Sequence, residues 1–165
     1  MTECSQNPFH FANHFQREVV AGFDGGTITS EAGSLLLRQV EQRTGMVRQF
    51  ANCFRDYRDA DKIEHSVREL IGQRVYGMAL GYEDLNDHDQ LRRDPLLAVL
   101  CGKQDVAGQE RRREQDRGSA GAGKSTLNRL ELTPADADER ARYKKIVMDE
   151  KAVDELLVNL YIQSQ

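Results

Sequence analysis

Gly118, Gly123, Lys124 and Ser125 stand at the spacing G-x-x-x-x-G-K-S. In that pattern glycine amides cradle a phosphate, the lysine reaches its outer oxygens and the hydroxyl meets magnesium. The chemistry requires a buried apolar strand feeding the loop and a long helix leaving it, so that backbone N–H groups converge on the anion. The residues before Gly118, Glu110-Arg-Arg-Arg-Glu-Gln-Asp-Arg117, are too charged for a central strand. The helix that follows, over residues 126–132, is short and stops at Thr133-Pro134, and no apolar strand ending in Asp comes later to hold magnesium. The letters therefore read as a glycine-rich loop entering a short helix, and a nucleotide-binding protein is the weakest of three functional readings.

The same stretch supports a second chemistry. Residues 103–129 carry seven Lys or Arg against four Asp or Glu, a balance of +3 within a chain of net charge -4, so the remainder carries -7. A Ser or Thr at a helix start leaves backbone donors aimed at an anion, and Asn and Arg read base edges or hold phosphate. Arg111, Arg112, Arg113, Arg117, Lys124, Ser125, Thr126, Asn128 and Arg129 are accordingly the candidate DNA-contacting residues. A solvated charged loop with a capped helix explains the same letters, and the residues alone leave both readings open.

Other reactive residue types have plainer explanations. Asp24, after the apolar residues 19–23, could be a metal-binding carboxylate on a strand, but Asp-Gly-Gly is turn chemistry. Asp84, Asp87, His88 and Asp89 read as a polar loop with helix caps, and Cys4, His10 and His14 lie where no scaffold fixes a coordination geometry. His65, one turn from Glu69, reads as half of a solvated pair. No Ser/His/Asp or Cys/His set is evident.

The elements that must position these residues are mostly helical. Residues 1–16 read as a flexible arm. Residues 18–23 (EVVAGF) and 27–29, around Asp24-Gly25-Gly26, read as a β-hairpin. Ser30 can cap a helix with an apolar stripe of Leu35, Leu36 and Val40, stopped by Gly45, and a second helix runs from Met46 to about Phe54. Ile63, Val67, Leu70, Ile71, Val75, Met78 and Ala79 recur at helical steps up to Gly81. Gly72 and Gly77 inside that helix imply close approach of a neighbour, since each costs about 1 kcal/mol relative to Ala. Asp94-Pro95, an apolar body and Gly102 spell a further helix. Residues 103–123 have almost no hydrophobic side chains and read as an exposed, mobile loop or a frayed helix. Asp149 can cap a last helix carrying Val153, Leu156, Leu157, Leu160 and Tyr161. The chain stops just after that apolar face, which reads as an interruption or as a C-terminal staple.

This organisation predicts a mostly α fold with a small N-terminal β-hairpin, an α+β class. Its parts are an arm (1–16), a hairpin plus helical domain (17–102), a basic Gly-rich loop (103–125), and a linker with a terminal helix (126–165). With 39% hydrophobic and 30% charged residues the composition is that of a polar globular chain. The longest apolar run, residues 96–101, is too short to cross a bilayer and the start lacks a secretory pattern, so the expected location is the cytoplasm and no membrane partner is expected. Three widely spaced cysteines, Cys4, Cys53 and Cys101, imply free thiols.

Several phrases in order carry a resemblance: Phe23-Asp-Gly-Gly-Thr-Ile-Thr-Ser30, Leu35-Leu-Leu-Arg38, residues 74–89 (RVYGMALGYEDLNDHD), Leu91-Arg-Arg-Asp-Pro-Leu96 and Gly123-Lys-Ser-Thr-Leu-Asn-Arg-Leu-Glu131. This succession resembles the opening of the group-1 DDE transposases of bacterial insertion sequences. The resemblance implies a cut-and-paste DNA transferase that binds the terminal inverted repeats of its element. In such proteins a ribonuclease-H-like domain holds two divalent metal ions, expected to be magnesium, on two Asp and one Glu. By resemblance the first of those Asp residues lies on a strand beyond the helix beginning at Glu150. This chain is therefore expected to be a truncated product without the catalytic core, with no catalytic or metal-binding residue and no cofactor of its own. Its partners would be inverted-repeat DNA, another copy of itself or intact transposase. The rival reading is a small helical interaction module, such as an inhibitor that pairs with intact transposase.

Overall fold

The computed structural model describes residues 7–25 and 29–165. Strands β1 (Phe9–His14) and β2 (Arg17–Ala21) form an antiparallel hairpin. Helices α1 (Ser34–Thr44) and α2 (Met46–Ala51) follow, then strand β3 (Phe54–Asp56). Helices α3 (Val67–Ala79), α4 (His88–Leu91), α5 (Pro95–Leu100) and α6 (Lys124–Glu131) come next. Strand β4 (Ile146–Met148) pairs antiparallel with β3, and α7 (Glu150–Gln163) closes the order. The fold is α+β and mostly helical, with two small antiparallel sheets among the described residues.

Helix α3 organises the rest. Ser66 starts it with a reciprocal cap: its hydroxyl accepts from the Glu69 N–H, and the Glu69 carboxylate accepts from the Ser66 N–H at 2.7 Å. One face of α3 places Leu70 and Ile71 in a core with Val47, Leu127, Leu130 and Ile146. Tyr76 joins a second core with Leu35, Leu97 and Leu100, against which Phe11 and Val19 of the hairpin pack. Each fully buried leucine contributes about 1.5–3 kcal/mol, so a single helix with two apolar faces ties the hairpin end of the molecule to the α6 end.

The glycines inside α3 meet their neighbours as the sequence implied. A Cβ at Gly77 would lie 2.9 Å from the His88 ring, and one at Gly72 would touch Val47 and Cys101 at 3.6 and 3.8 Å. Gly81 (φ +92) follows α3, and Gly102 (φ +77) follows α5, which begins with an Asp94 cap and Pro95 as read. Asp149 caps α7 by accepting from the Ala152 N–H.

Several expectations are corrected. Residues 9–14 are not an arm but a strand, and they pair with β2. The hairpin turns at Phe15-Gln16, with Phe15 at φ 54, because Phe11, Val19 and Ala21 gain burial in the second core by this pairing. Residues 26–28, most of the expected partner strand, lie outside the described residues, as does Cys4. Ser30 does not cap α1, which begins four residues later. Leu36 and Val40 are exposed, and the inward face of α1 is Leu35 with Arg38. Arg38 turns inward because its guanidinium donates to the Ala12 and Asn13 carbonyls (2.7 and 3.0 Å), where the hairpin register is irregular. The second helix ends at Ala51, since Phe54 to Asp56 find a strand partner in β4.

Candidate nucleic-acid interface

The largest correction concerns residues 103–123. Far from floating, this segment is held by a buried polar network that begins at His65, which is 5% exposed rather than solvated. Lys103 Nζ lies 2.8 Å from His65 Nδ1 and 3.0 Å from the Glu69 carboxylate. On the other side of the ring, Arg111 Nη1 lies 2.9 Å from His65 Nε2 and donates to the Ser119 and Gly121 carbonyls. Arg111 Nη2 pairs with Glu64 at 3.1 Å, and Arg92 pairs with Asp116 at 2.8 Å. Burial pushes the His65 imidazole down to about 2, helped by the Lys103 and Arg111 cations, because a protonated ring would put a third positive charge between them. Order here comes chiefly from charge-assisted hydrogen bonds to residues some 40 positions earlier, with only the small side chains of Ala120 and Ala122 buried.

The phosphate-loop pattern is engaged in the same way. Among the described residues no strand leads into Gly118; the element just before it is a single 3-10 turn, Glu114–Asp116. The amides that would have to face an anion already have acceptors: Gly121 N–H donates to Arg92 O, Ala122 N–H to the Gln73 side chain, and Lys124 N–H to Asp89. Lys124 Nζ lies 3.1 Å from Asn86 Oδ1 and 3.5 Å from an Asp89 oxygen. Gln73 returns a bond to Ala122 O and lies 3.1 Å from His88, a ring with no exposure that also meets Arg74 at 3.0 Å. Burial, then Arg74, lowers the His88 pKa. Arg74 also pairs with Glu131, fixing α3 to the end of α6. The polar loop at residues 84–89 is thus a docking cradle for residues 121–124.

The expected DNA-contacting residues therefore divide. Arg111 is inside the network, and Lys124 is neutralised by the acidic loop. Arg112, Arg113 and Arg117 are exposed, although the Arg112 N–H donates to Glu64. Ser125 is exposed, and Thr126 and Asn128 are half-buried on α6. The Arg129 guanidinium lies over the Tyr143 ring, 5.3 Å from its centre, and Arg142 lies over the same ring at 4.9 Å. Tyr143 is 54% exposed. This aromatic flanked by two guanidiniums escaped the reading from sequence. The signal available was the run Arg140-Ala-Arg-Tyr-Lys-Lys145, four cations without an acid.

The sequence model of the transposase DDE domain, group 1, matches residues 11–164. The chain belongs to that family. No curated protein and no solved structure matches it. Membership makes the function transposase-related, as the resemblance implied, and this family works with divalent metal ions. The described residues of this transposase-family chain do not fit such ions: no three His, Cys, Asp or Glu side chains gather where a metal could be held. Among the described residues no helix is long and apolar enough to cross a membrane.

Proposed function

We propose that this transposase-family chain binds the inverted-repeat ends of an insertion element and docks them to another protein body. The observation that carries the DNA part is the exposed Arg129–Tyr143–Arg142 cluster, next to Arg140 and Lys144. Among the described residues neither Arg129 nor Arg142 has a carboxylate partner, such guanidiniums are the groups that phosphate attracts, and an exposed aromatic ring between them suits the edge or face of a base. Helix α7 supports the docking part. Leu156 is buried beneath it, while Leu157, Val158, Tyr161 and Ile162 are each about 60% exposed, an apolar surface of the kind that marks protein contacts. In this reading the chain positions DNA, and cleavage and joining are not assigned to its residues.

Gel-shift titration of the full chain against inverted-repeat duplex at low and moderate salt tests the reading. Binding that weakens steeply with salt is expected. No shift at low salt removes the DNA function, and nicking of the duplex in magnesium by nuclease-free protein removes the non-catalytic assignment. The α7 face also favours a second reading, an interaction module that pairs with intact transposase and inhibits it. Co-sedimentation with intact transposase in the absence of DNA would support that reading.

A further inference from the structure

Helices α1 and α7 each leave an apolar stripe uncovered, and each stripe ends in a charge. On α1, Leu36, Leu37 and Val40 are 59%, 39% and 48% exposed, although their neighbour Leu35 is buried. Leu36 and Val40 lie four positions apart and Leu37 and Val40 three, which places them on one side of the helix. Arg43 follows Val40 by one turn on that side. On α7, Leu157 and Tyr161 stand four positions apart, as do Val158 and Ile162, and Asp154 precedes this stripe by one turn. The base thus sits at the C-terminal end of one stripe and the acid at the N-terminal end of the other.

Both charges are exposed, and among the described residues neither takes part in a salt bridge. The carboxylates nearest in sequence are engaged elsewhere: Glu41 accepts the Val47 and Arg48 N–H groups, and Lys151 pairs with Glu155. Set antiparallel, the two stripes match along their length. Seven residues separate Leu36 from Arg43 and Asp154 from Tyr161, about 10.5 Å of helix in both cases. With Asp154 beside Arg43, Leu157 and Val158 meet Val40, and Tyr161 and Ile162 meet Leu36 and Leu37. Set parallel, Asp154 would fall on Leu36 and Arg43 on Tyr161. Two α7 stripes facing each other would leave both acids without a base.

We infer that a second copy of this chain covers the α7 face, with α7 of each copy lying antiparallel on α1 of the other. The inference rests on the docking part of the proposed function and names its occupant. A two-fold axis forms both contacts at once and closes the assembly at a dimer, whereas a single head-to-tail contact would grow into a filament. Apolar side chains supply the attraction, and the Asp154–Arg43 pair sets direction and register.

Sedimentation equilibrium of the full chain without DNA, from micromolar to submillimolar concentration, tests it. A reversible monomer–dimer equilibrium is expected. Asp154→Arg alone and Arg43→Asp alone should each weaken self-association about ten-fold, because each sets like charges together. Both changes in one chain should restore it. A mixture of the two single variants should also associate, since both contacts of the mixed pair join opposite charges. Leu157→Ser with Tyr161→Ser should remove self-association. Unfolding midpoints of all these variants should stay near that of the wild type, because the side chains are exposed. A chain that stays monomeric, a dimer indifferent to Arg43→Asp, or single variants that fail to recover on mixing would each overturn the inference. A monomeric chain that still co-sediments with intact transposase removes this occupant and leaves the docking reading, while a monomeric chain that does not removes both.

Discussion

Arg111 and Arg142 sit in stretches of similar charge, Arg111-Arg-Arg113 and Arg140-Ala-Arg142, yet they do opposite things. Arg111 faces Glu64, His65 and the carbonyls of Ser119 and Gly121, and its side chain is 13% exposed. Arg142 is exposed and rests over Tyr143. The two differ in what folding brings to them. Buried acceptors converge on residues 111–121 and hold them with Ala120 as their one buried apolar side chain, whereas among the described residues no carboxylate pairs with Arg129 or Arg142. Positive charge in a sequence is thus two populations, one that builds the fold and one left for an anion, and only the acceptors tell them apart.

The sharpest way to break this contrast is to remove Arg111. Arg111→Ala removes the donor to one Glu64 oxygen and to the Ser119 and Gly121 carbonyls, and urea unfolding should show a loss of about 3–5 kcal/mol. A loss below about 1 kcal/mol would mean that the network does not hold the segment.

Gly77 and Gly72 make a smaller version of the test within one helix. Gly77→Ala drives a methyl into the His88 ring and should destabilise by about 1–3 kcal/mol despite better helix propensity. Gly72→Ala meets only ordinary contacts and should be neutral or stabilising by up to about 1 kcal/mol. Thermal melts of the pair check the sign, and equal effects would remove the close approach of His88 as the reason for a glycine.

The network also predicts an acid limit. In the folded chain His65 stays neutral down to about pH 2, whereas in the unfolded chain it takes up a proton near its ordinary 6.5. The unfolded state then binds more protons, so stability is full above that value and falls as the pH drops below it. The slope approaches about 1.4 kcal/mol per pH unit for this residue. The His88 shift has the same sign and adds to the fall. Urea titrations at pH 7 and pH 5 measure it, and His65→Gln should flatten the slope by close to one proton. Unchanged stability between those pH values would contradict a neutral buried ring.

How much of this was legible follows from distance along the chain. Helix α5, with Asp94, Pro95 and Gly102, and the Asp149 cap of α7 are written within a few residues and read correctly. Strands β3 and β4 are three residues each and pair across some 90 positions, so no periodicity announces them. The order of residues 103–123 comes from Glu64, His65 and Glu69, whose role cannot be seen from a local window where hydrophobic residues vanish. His65 itself misled, because its spacing to Glu69 suggested a solvated pair while Glu69 was capping its own helix. Of the candidate interface, Arg129 was named from its place on a short helix. Its companions Arg142 and Tyr143 lie in a linker that offered only a run of basic letters.

The smallest expected stability effect accompanies the most direct test. Arg129→Ala with Arg142→Ala should change unfolding free energy by no more than about 0.5 kcal/mol. The measurement that decides is the affinity of wild type and this double variant for inverted-repeat duplex across a salt series. If these two guanidiniums contact phosphates, the log–log slope should fall in magnitude by about 1.8, with binding weakened most at low salt. An unchanged slope and affinity in a folded double variant would contradict the account and return the DNA contact to some other surface.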